Sequence, residues 1–249
     1  MSLISFLPLA GLARSLVRIV SHRSNSNRAP ILCYVTDRQN LSKANEPDPR
    51  EALLHRIEEA AAAGVDWIQI REKDLSGKDC TALTSAALQC AARASASKAG
   101  PTRILVNDRL DVALSQGAGG IHLGENSLPV EEARNLADSR IRARDFLIGV
   151  SCHSLEAATA AAKGGAHYVF FGPVFATPSK AAYGAPQGLR RLAEVCRAVS
   201  LPVVAIGGVT LSNSASCISA GASGIAAIGL FQDAQDVASV VKTLRTQKV

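Results

Sequence analysis

A chain of 249 residues, 47% hydrophobic and only 4% aromatic, has room for one large domain or two small ones, and its many small residues suit close helix-on-sheet packing better than an all-β sandwich. The formal net charge is +6, but Arg14, Arg18, Arg23 and Arg28 supply four of those charges before the first acid, Asp37, so the remainder carries only about +2. That small excess, with no helix-turn-helix, finger or aromatic RNA-binding pattern, excludes nucleic acid as the expected partner and leaves local charge for small anions.

Residues 1–30 read as a leader, disordered or an amphipathic helix, with an apolar run from Leu3 to Ala13, arginines, serines and no acid. The run is too short to span a bilayer, and its positive charge follows it instead of preceding it, which speaks against secretion and membrane insertion. A cytoplasmic protein is expected; an organellar transit peptide is the other reading of the same residues.

From Ile31 onward short apolar runs alternate with alanine-rich stretches of helical period, and the cycle repeats eight times. The strands are expected at Ile31–Thr36, Trp67–Arg71, Arg103–Val106, Gly120–Leu123, Phe146–Val150, Tyr168–Phe171, Val203–Ile206 and Gly224–Ile228. The helices are expected at Pro49–Ala63, Lys78–Ser97, Leu110–Gln116, Pro129–Ala137, Leu155–Lys163, Gly188–Val199, Leu211–Ala220 and Gln235–Gln247. Strands separated by helices imply a parallel sheet, and eight units in about 220 residues fit an α/β protein with a single (β/α)8 barrel over 31–249 better than a doubly wound sheet. No linker divides that region.

In such a barrel the chemistry collects at the carboxyl ends of the strands. Side chains alternate along a strand, so Gln69, Arg71 and Lys73 face one way while the chain stays extended; two cations there suit a pyrophosphate, or else an internal network with Glu72, Asp74 or Asp108. Asn107 and Asp108 follow the third strand, where a carboxylate can take Mg2+ together with substrate phosphate oxygens; the same Asp108 can instead cap the next helix or pair with Arg109. Gly207 and Gly208, with Gly229 after the last strand, either expose amides to a phosphate or form tight turns. Thr177, Ser179 and Lys180, carried past the sixth strand by Gly172, suit an anion or a plain surface turn. His122 reads as a hydrogen-bonded structural residue and His153 as an acid/base candidate. Six scattered cysteines with no C-x-x-C spacing point to buried thiols in place of zinc or disulfides, with Cys152 the one alternative nucleophile.

Taken together, Tyr34-Val-Thr-Asp37-Arg38, Gln69-Ile-Arg71-Glu-Lys73, Val106-Asn107-Asp108-Arg109, Gly120-Ile-His122-Leu-Gly124, Gly149-Val-Ser151-Cys-His153, Gly172 to Lys180 and Ala205-Ile-Gly207-Gly208 resemble the thiamine phosphate synthase family over residues 31–235. The resemblance implies a transferase of thiamine biosynthesis. It would join 4-amino-5-hydroxymethyl-2-methylpyrimidine diphosphate to a thiazole phosphate with release of pyrophosphate, through a dissociative step that leaves a pyrimidine carbocation. It further implies that Gln69, Arg71, Lys73, Asn107, Ser151 and Lys180 meet the pyrimidine diphosphate. Thr177, Ser179 and Gly208 would meet the thiazole phosphate, and Asp108 would hold Mg2+.

Two positions depart from the family pattern. Ser127 stands where a second metal-binding aspartate is expected, although the nearby Glu125 supplies a carboxylate, and Gly229 replaces a serine at the thiazole phosphate. The thiazole tautomerases of the same superfamily use a histidine in a Ser-x-His motif, which Ser151-Cys-His153 also resembles; a non-catalytic barrel that binds thiamine precursors is the third reading. Whether the chain forms a homo-oligomer is left open by these residues.

Overall fold

A computed structural model describes residues 29–41, 48–95, 101–124, 126–140, 145–177 and 185–247. Most of the leader lies outside that set, as do Glu125, Ser179 and Lys180.

Eight parallel strands close into a barrel in chain order: β1 (Ile31–Val35), β2 (Trp67–Ile70), β3 (Arg103–Asn107), β4 (Gly120–Leu123), β5 (Leu147–Cys152), β6 (Tyr168–Phe171), β7 (Val203–Ile206) and β8 (Gly224–Ala227). The seam is a parallel pairing of β1 with β8, in which Leu32 faces Ile225 and Cys33 faces Ala226. Outside lie α1 (Pro49–Ala63), α2 (Gly77–Ser95), α3 (Leu110–Ser115), α4 (Val130–Arg140), α5 (Leu155–Lys163), α6 (Gly188–Ala198), α7 (Leu211–Ser219), α8 (Gly229–Gln232) and α9 (Val237–Arg245). No helix of the described residues is long and apolar enough to cross a membrane.

Local chemistry explains several of these boundaries. Asp48 caps α1 by accepting from the Arg50 amide, Pro49 fixes its first turn, and Gly64 ends it in the left-handed region at φ 93°. β1 and β2 each stop one residue short of the expected end. The Thr36 amide still donates to the Gln69 carbonyl at 2.9 Å, but the Arg71 amide finds the Thr36 hydroxyl, also at 2.9 Å, in place of a backbone carbonyl. β5 runs on to Cys152, so Ser151 belongs to the strand and pairs with Phe170. The four-residue α8 has too few residues to produce a helical period in the sequence.

The barrel interior is filled by Cys33, Val35, Leu105, Tyr168, Phe170, Val204 and Ala226. Tyr168 stacks at 4.6 Å on Trp67 and 5.3 Å from Phe170, and it crosses to β5 at Gly149, where any Cβ would run into its ring. Larger apolar layers lie between strands and helices; one gathers Leu32, Ile57, Ile68 and Leu83, another Phe171, Leu192, Val203 and Ile225. Above this packed floor, space opens toward the carboxyl ends of the strands.

Candidate active site

Those ends open onto a cavity of about 610 Å³. Every strand contributes to its lining, from Val35 at the end of β1 and Asp37 beyond it round to Ile228 and Gly229 after β8. Of the residues singled out in the sequence, Gln69, Arg71, Asn107, Ser151, His153, Thr177, Gly207, Gly208 and Gly229 all line it, as does His122. Asp108 and Lys73 are exposed and are not part of that lining. With β2 ending at Ile70, the alternation that would have aimed Lys73 inward is lost, and Lys73 sits in the following turn.

A hydrogen-bonded chain leads from the floor to the rim. The buried Gln69 donates from Nε2 to Asn107 Oδ1 at 2.8 Å, and Asn107 Nδ2 donates to Asp108 Oδ2 at 2.7 Å. The other carboxylate oxygen, Oδ1, accepts from the Gly124 amide at 3.2 Å and from the Ser127 hydroxyl. Asp108 adopts φ 59°, a left-handed conformation that aspartate tolerates better than most residues. It neither caps a helix nor pairs with Arg109, which forms an ion pair with Asp111 at 2.5 Å instead. Ser127, the departure from the family pattern, is thus a donor to Asp108.

The donor set bears on a metal ion. Among the described residues no three His, Cys, Asp or Glu side chains converge, so an all-protein cage for a cation is absent there. One oriented carboxylate beside a cavity does fit Mg2+, which keeps its waters and takes one or two carboxylates together with phosphate oxygens of a ligand.

Arg71 enters the cavity wall with no ion pair among the described residues, because the acids beside it are engaged elsewhere. Glu72 accepts from the Thr36 hydroxyl at 2.6 Å and pairs with Arg38 at 3.0 Å; Asp74 pairs with the same Arg38 at 2.5 Å. Of the acids expected as alternative partners for Arg71 and Lys73, Glu72 and Asp74 are paired with Arg38 instead, a contact that no local spacing signals.

His122 is fully buried between Tyr168 and Ser151, with Nδ1 3.1 Å from the phenol oxygen and Nε2 2.9 Å from the serine hydroxyl. Burial, with a smaller opposing pull from Asp108, pushes its pKa down to about 3, so the ring is neutral. The tautomer follows from satisfying each group. The buried phenol has only His122 as a hydrogen-bond partner among the described residues, so it donates to Nδ1, and Nε2–H donates to Ser151. The Ser151 proton is then left to point into the cavity. His153 donates from Nδ1 to the Gly172 carbonyl.

The opposite wall is backbone. Gly207 and Gly208 lie at φ 90° and 67°, and a Cβ on Gly208 would stand 2.5 Å from the Ala176 carbonyl oxygen. Asn213, near the start of α7, locks this turn by donating to the Gly208 carbonyl at 3.0 Å and accepting from the Thr210 amide at 2.8 Å. Gly229 opens α8, where a Cβ would meet the Asp233 carboxylate at 2.6 Å. All six cysteines are buried and outside any disulfide; burial drives Cys196 up to about 12 and Cys217 to about 11, and Cys152 packs into the layer between strands and helices, away from the cavity.

A family model described as thiamine monophosphate synthase matches residues 32–231. The thiamine-phosphate synthase of Methanoculleus marisnigri is 50% identical over 186 residues, covering 75% of this chain and 83% of that one. The thiamine-phosphate synthase of a Roseiflexus species is 38% identical over 214 residues, 86% of this chain and 83% of its own. Among solved structures, thiamine phosphate pyrophosphorylase from Pyrococcus furiosus superimposes with a TM-score of 0.70 at 31% identity, over 87% of this chain and 94% of that one.

Proposed function

The chain belongs to the thiamine monophosphate synthase family, and on that premise we propose that its cavity joins 4-amino-5-hydroxymethyl-2-methylpyrimidine diphosphate to a thiazole phosphate, giving thiamine phosphate and pyrophosphate. The observation that carries this reading is the chain Gln69–Asn107–Asp108, which runs from the barrel floor to an oriented carboxylate at the rim of a cavity lined by Arg71, itself without an ion pair among the described residues.

The reaction breaks the bond between the pyrimidine methylene carbon and the diphosphate oxygen, the electron pair leaving with pyrophosphate. The thiazole nitrogen then supplies the pair for the new carbon–nitrogen bond. Such a step needs positioning and charge more than proton transfer. Arg71 is suited to the charge that grows on the leaving group, a role the family resemblance also gives to Lys73 and Lys180, and Gln69 and Asn107 to orienting the pyrimidine diphosphate. Asp108 is the residue that would hold Mg2+, whose chemistry there is to neutralise the diphosphate. Ser151, with its proton free for the cavity, donates to a substrate acceptor. The amides of Gly207, Gly208 and Gly229, with the hydroxyls of Thr177 and Ser179, suit the thiazole phosphate, as the loops after the seventh and eighth strands often do in this fold.

The test incubates the purified protein with both substrates and Mg2+ and follows thiamine phosphate. Product that depends on Mg2+ is expected, and its absence would sink the proposal. Asp108→Ala and Lys180→Ala are each expected to lower turnover at least tenfold, about 1.4 kcal/mol of barrier; rates near the parent in either would remove that residue from the mechanism.

A further inference from the structure

The stretch Arg71-Glu72-Lys73-Asp74 alternates in sign, so each cation needed for an anionic ligand has an acid as its neighbour in sequence. Left alone, such a string neutralises itself. The geometry points to Arg38 as the residue that prevents this: by claiming Glu72 and Asp74 together, it leaves Arg71 and Lys73 to the diphosphate, and so sets the anion affinity of the cavity without touching the ligand.

The contacts are specific. Arg38 Nη1 donates to Glu72 Oε2 at 3.0 Å and to Asp74 Oδ1 at 2.7 Å, while Nη2 donates to Asp74 Oδ2 at 2.5 Å. Its backbone amide adds bonds to both Glu72 oxygens at 3.2 and 3.1 Å. The planar fork is what allows one side chain to serve two carboxylates. The Glu72 side chain is 2% exposed and is further held by the Thr36 hydroxyl, which in turn accepts the Arg71 amide. One knot therefore fixes the backbone at Arg71 and disposes of the competing charges. Arg38 also keeps the Asp74 carboxyl ionised down to about 2, in keeping with a committed pair.

This role rests on the diphosphate reading of the cavity, and the probe is inorganic pyrophosphate with Mg2+, titrated calorimetrically into the full chain. Arg38→Met should weaken pyrophosphate binding at least tenfold. It should raise the KM for the pyrimidine diphosphate in parallel, with the KM for the thiazole phosphate within twofold of the parent. Adding Glu72→Gln and Asp74→Asn to that variant removes the acids that would otherwise turn on Arg71 and Lys73, and affinity should return to within threefold of the parent. Unchanged binding in Arg38→Met, or a triple variant as weak as the single one, overturns the assignment, since lost packing alone is not rescued by neutralising acids. Should Arg38→Met fail to fold, Arg38→Lys carries the test. Its ammonium cannot span both carboxylates, so binding should fall at least threefold and recover with Asp74→Asn; no fall, or no recovery, overturns the assignment. A parent chain that binds pyrophosphate yet makes no thiamine phosphate defeats the proposed reaction and leaves Arg38 judged by these affinities, whereas a parent without pyrophosphate affinity overturns both.

Discussion

His122 joins stability to chemistry in one side chain. Folded, it is neutral down to about pH 3, whereas in the unfolded chain it takes a proton near its ordinary value of 6.5. Below 6.5 the unfolded state therefore binds the extra proton, so the stability His122 contributes is complete above that pH and is lost as pH falls from 6.5 toward 3. The slope from one such proton is about 1.4 kcal/mol per pH unit, roughly 3–5 °C in Tm for a chain of this size. His122→Gln should lack this share, so the Tm difference between parent and variant should narrow by about that amount per unit between pH 6 and pH 4. A constant difference would mean that His122 is not buried neutral. Ser127 is the second residue of consequence. Its hydroxyl helps hold Asp108, and Ser127→Ala is expected to raise the Mg2+ concentration needed for half-maximal turnover about threefold or more, with kcat at saturating Mg2+ less affected; an unmoved Mg2+ dependence would show that the bond does not orient the carboxylate.

At the scale of elements, the turn after β7 matters because its shape is imposed from outside. Gly207 and Gly208 can adopt their positive φ, but Asn213 at the start of α7 selects it by holding the Gly208 carbonyl and the Thr210 amide. Asn213→Ala should cost about 1 kcal/mol of stability, as lost helix caps do. It should also raise the KM for the thiazole phosphate at least threefold while that for the pyrimidine diphosphate moves less than twofold. Equal changes in both would assign the turn no selective part. This turn also marks a limit of what sequence reveals. The glycines are visible in Val204-Ala-Ile-Gly207-Gly208, but the lock on them comes from an asparagine in the next helix. The strands were legible because each is a short apolar run that the barrel buries on both faces, and so Gln69, Asn107 and Ser151 emerge at strand ends where polar residues interrupt those runs. Partners that meet only across loops were not legible from pattern alone, although the family resemblance did place Ser127 at the same metal position as Asp108. Ser127 lies 19 residues from Asp108 and Arg38 lies 34 and 36 from Glu72 and Asp74, and no period or spacing links them. Strand alternation does not reach Lys73 for the complementary reason: β2 ends at Ile70, and Lys73 lies in the turn beyond it.

For the whole molecule, a closed barrel requires the ends of the chain to meet, and the two ends of the seam are fastened differently. At the carboxyl end, buried Gln232 in α8 accepts from the Tyr34 hydroxyl at 3.0 Å and the Asp37 amide at 3.1 Å, and donates to the Asp37 carbonyl at 2.8 Å. At the amino end, Arg245 in α9 donates to the Gly64 carbonyl and pairs with Asp66 at 2.8 Å, next to the start of β2. Both fastenings join segments 179 to 198 residues apart in sequence, so each favours the closed sheet over an open one. They differ in what else they hold. Gln232 fixes α8, whose first residue Gly229 lines the cavity, while Arg245 lies at the opposite end from any lining residue. Gln232→Leu strands a buried phenol and a backbone amide, at about 1–3 kcal/mol for each group left without a partner. It should lower both urea stability and the affinity for the thiazole phosphate, the latter at least threefold. Arg245→Met should lower urea stability by about 1–2 kcal/mol, as expected for a part-exposed charged hydrogen bond, while leaving both KM values within twofold. If the two variants lost affinity alike, α8 would be positioned by the barrel as a whole and not by Gln232.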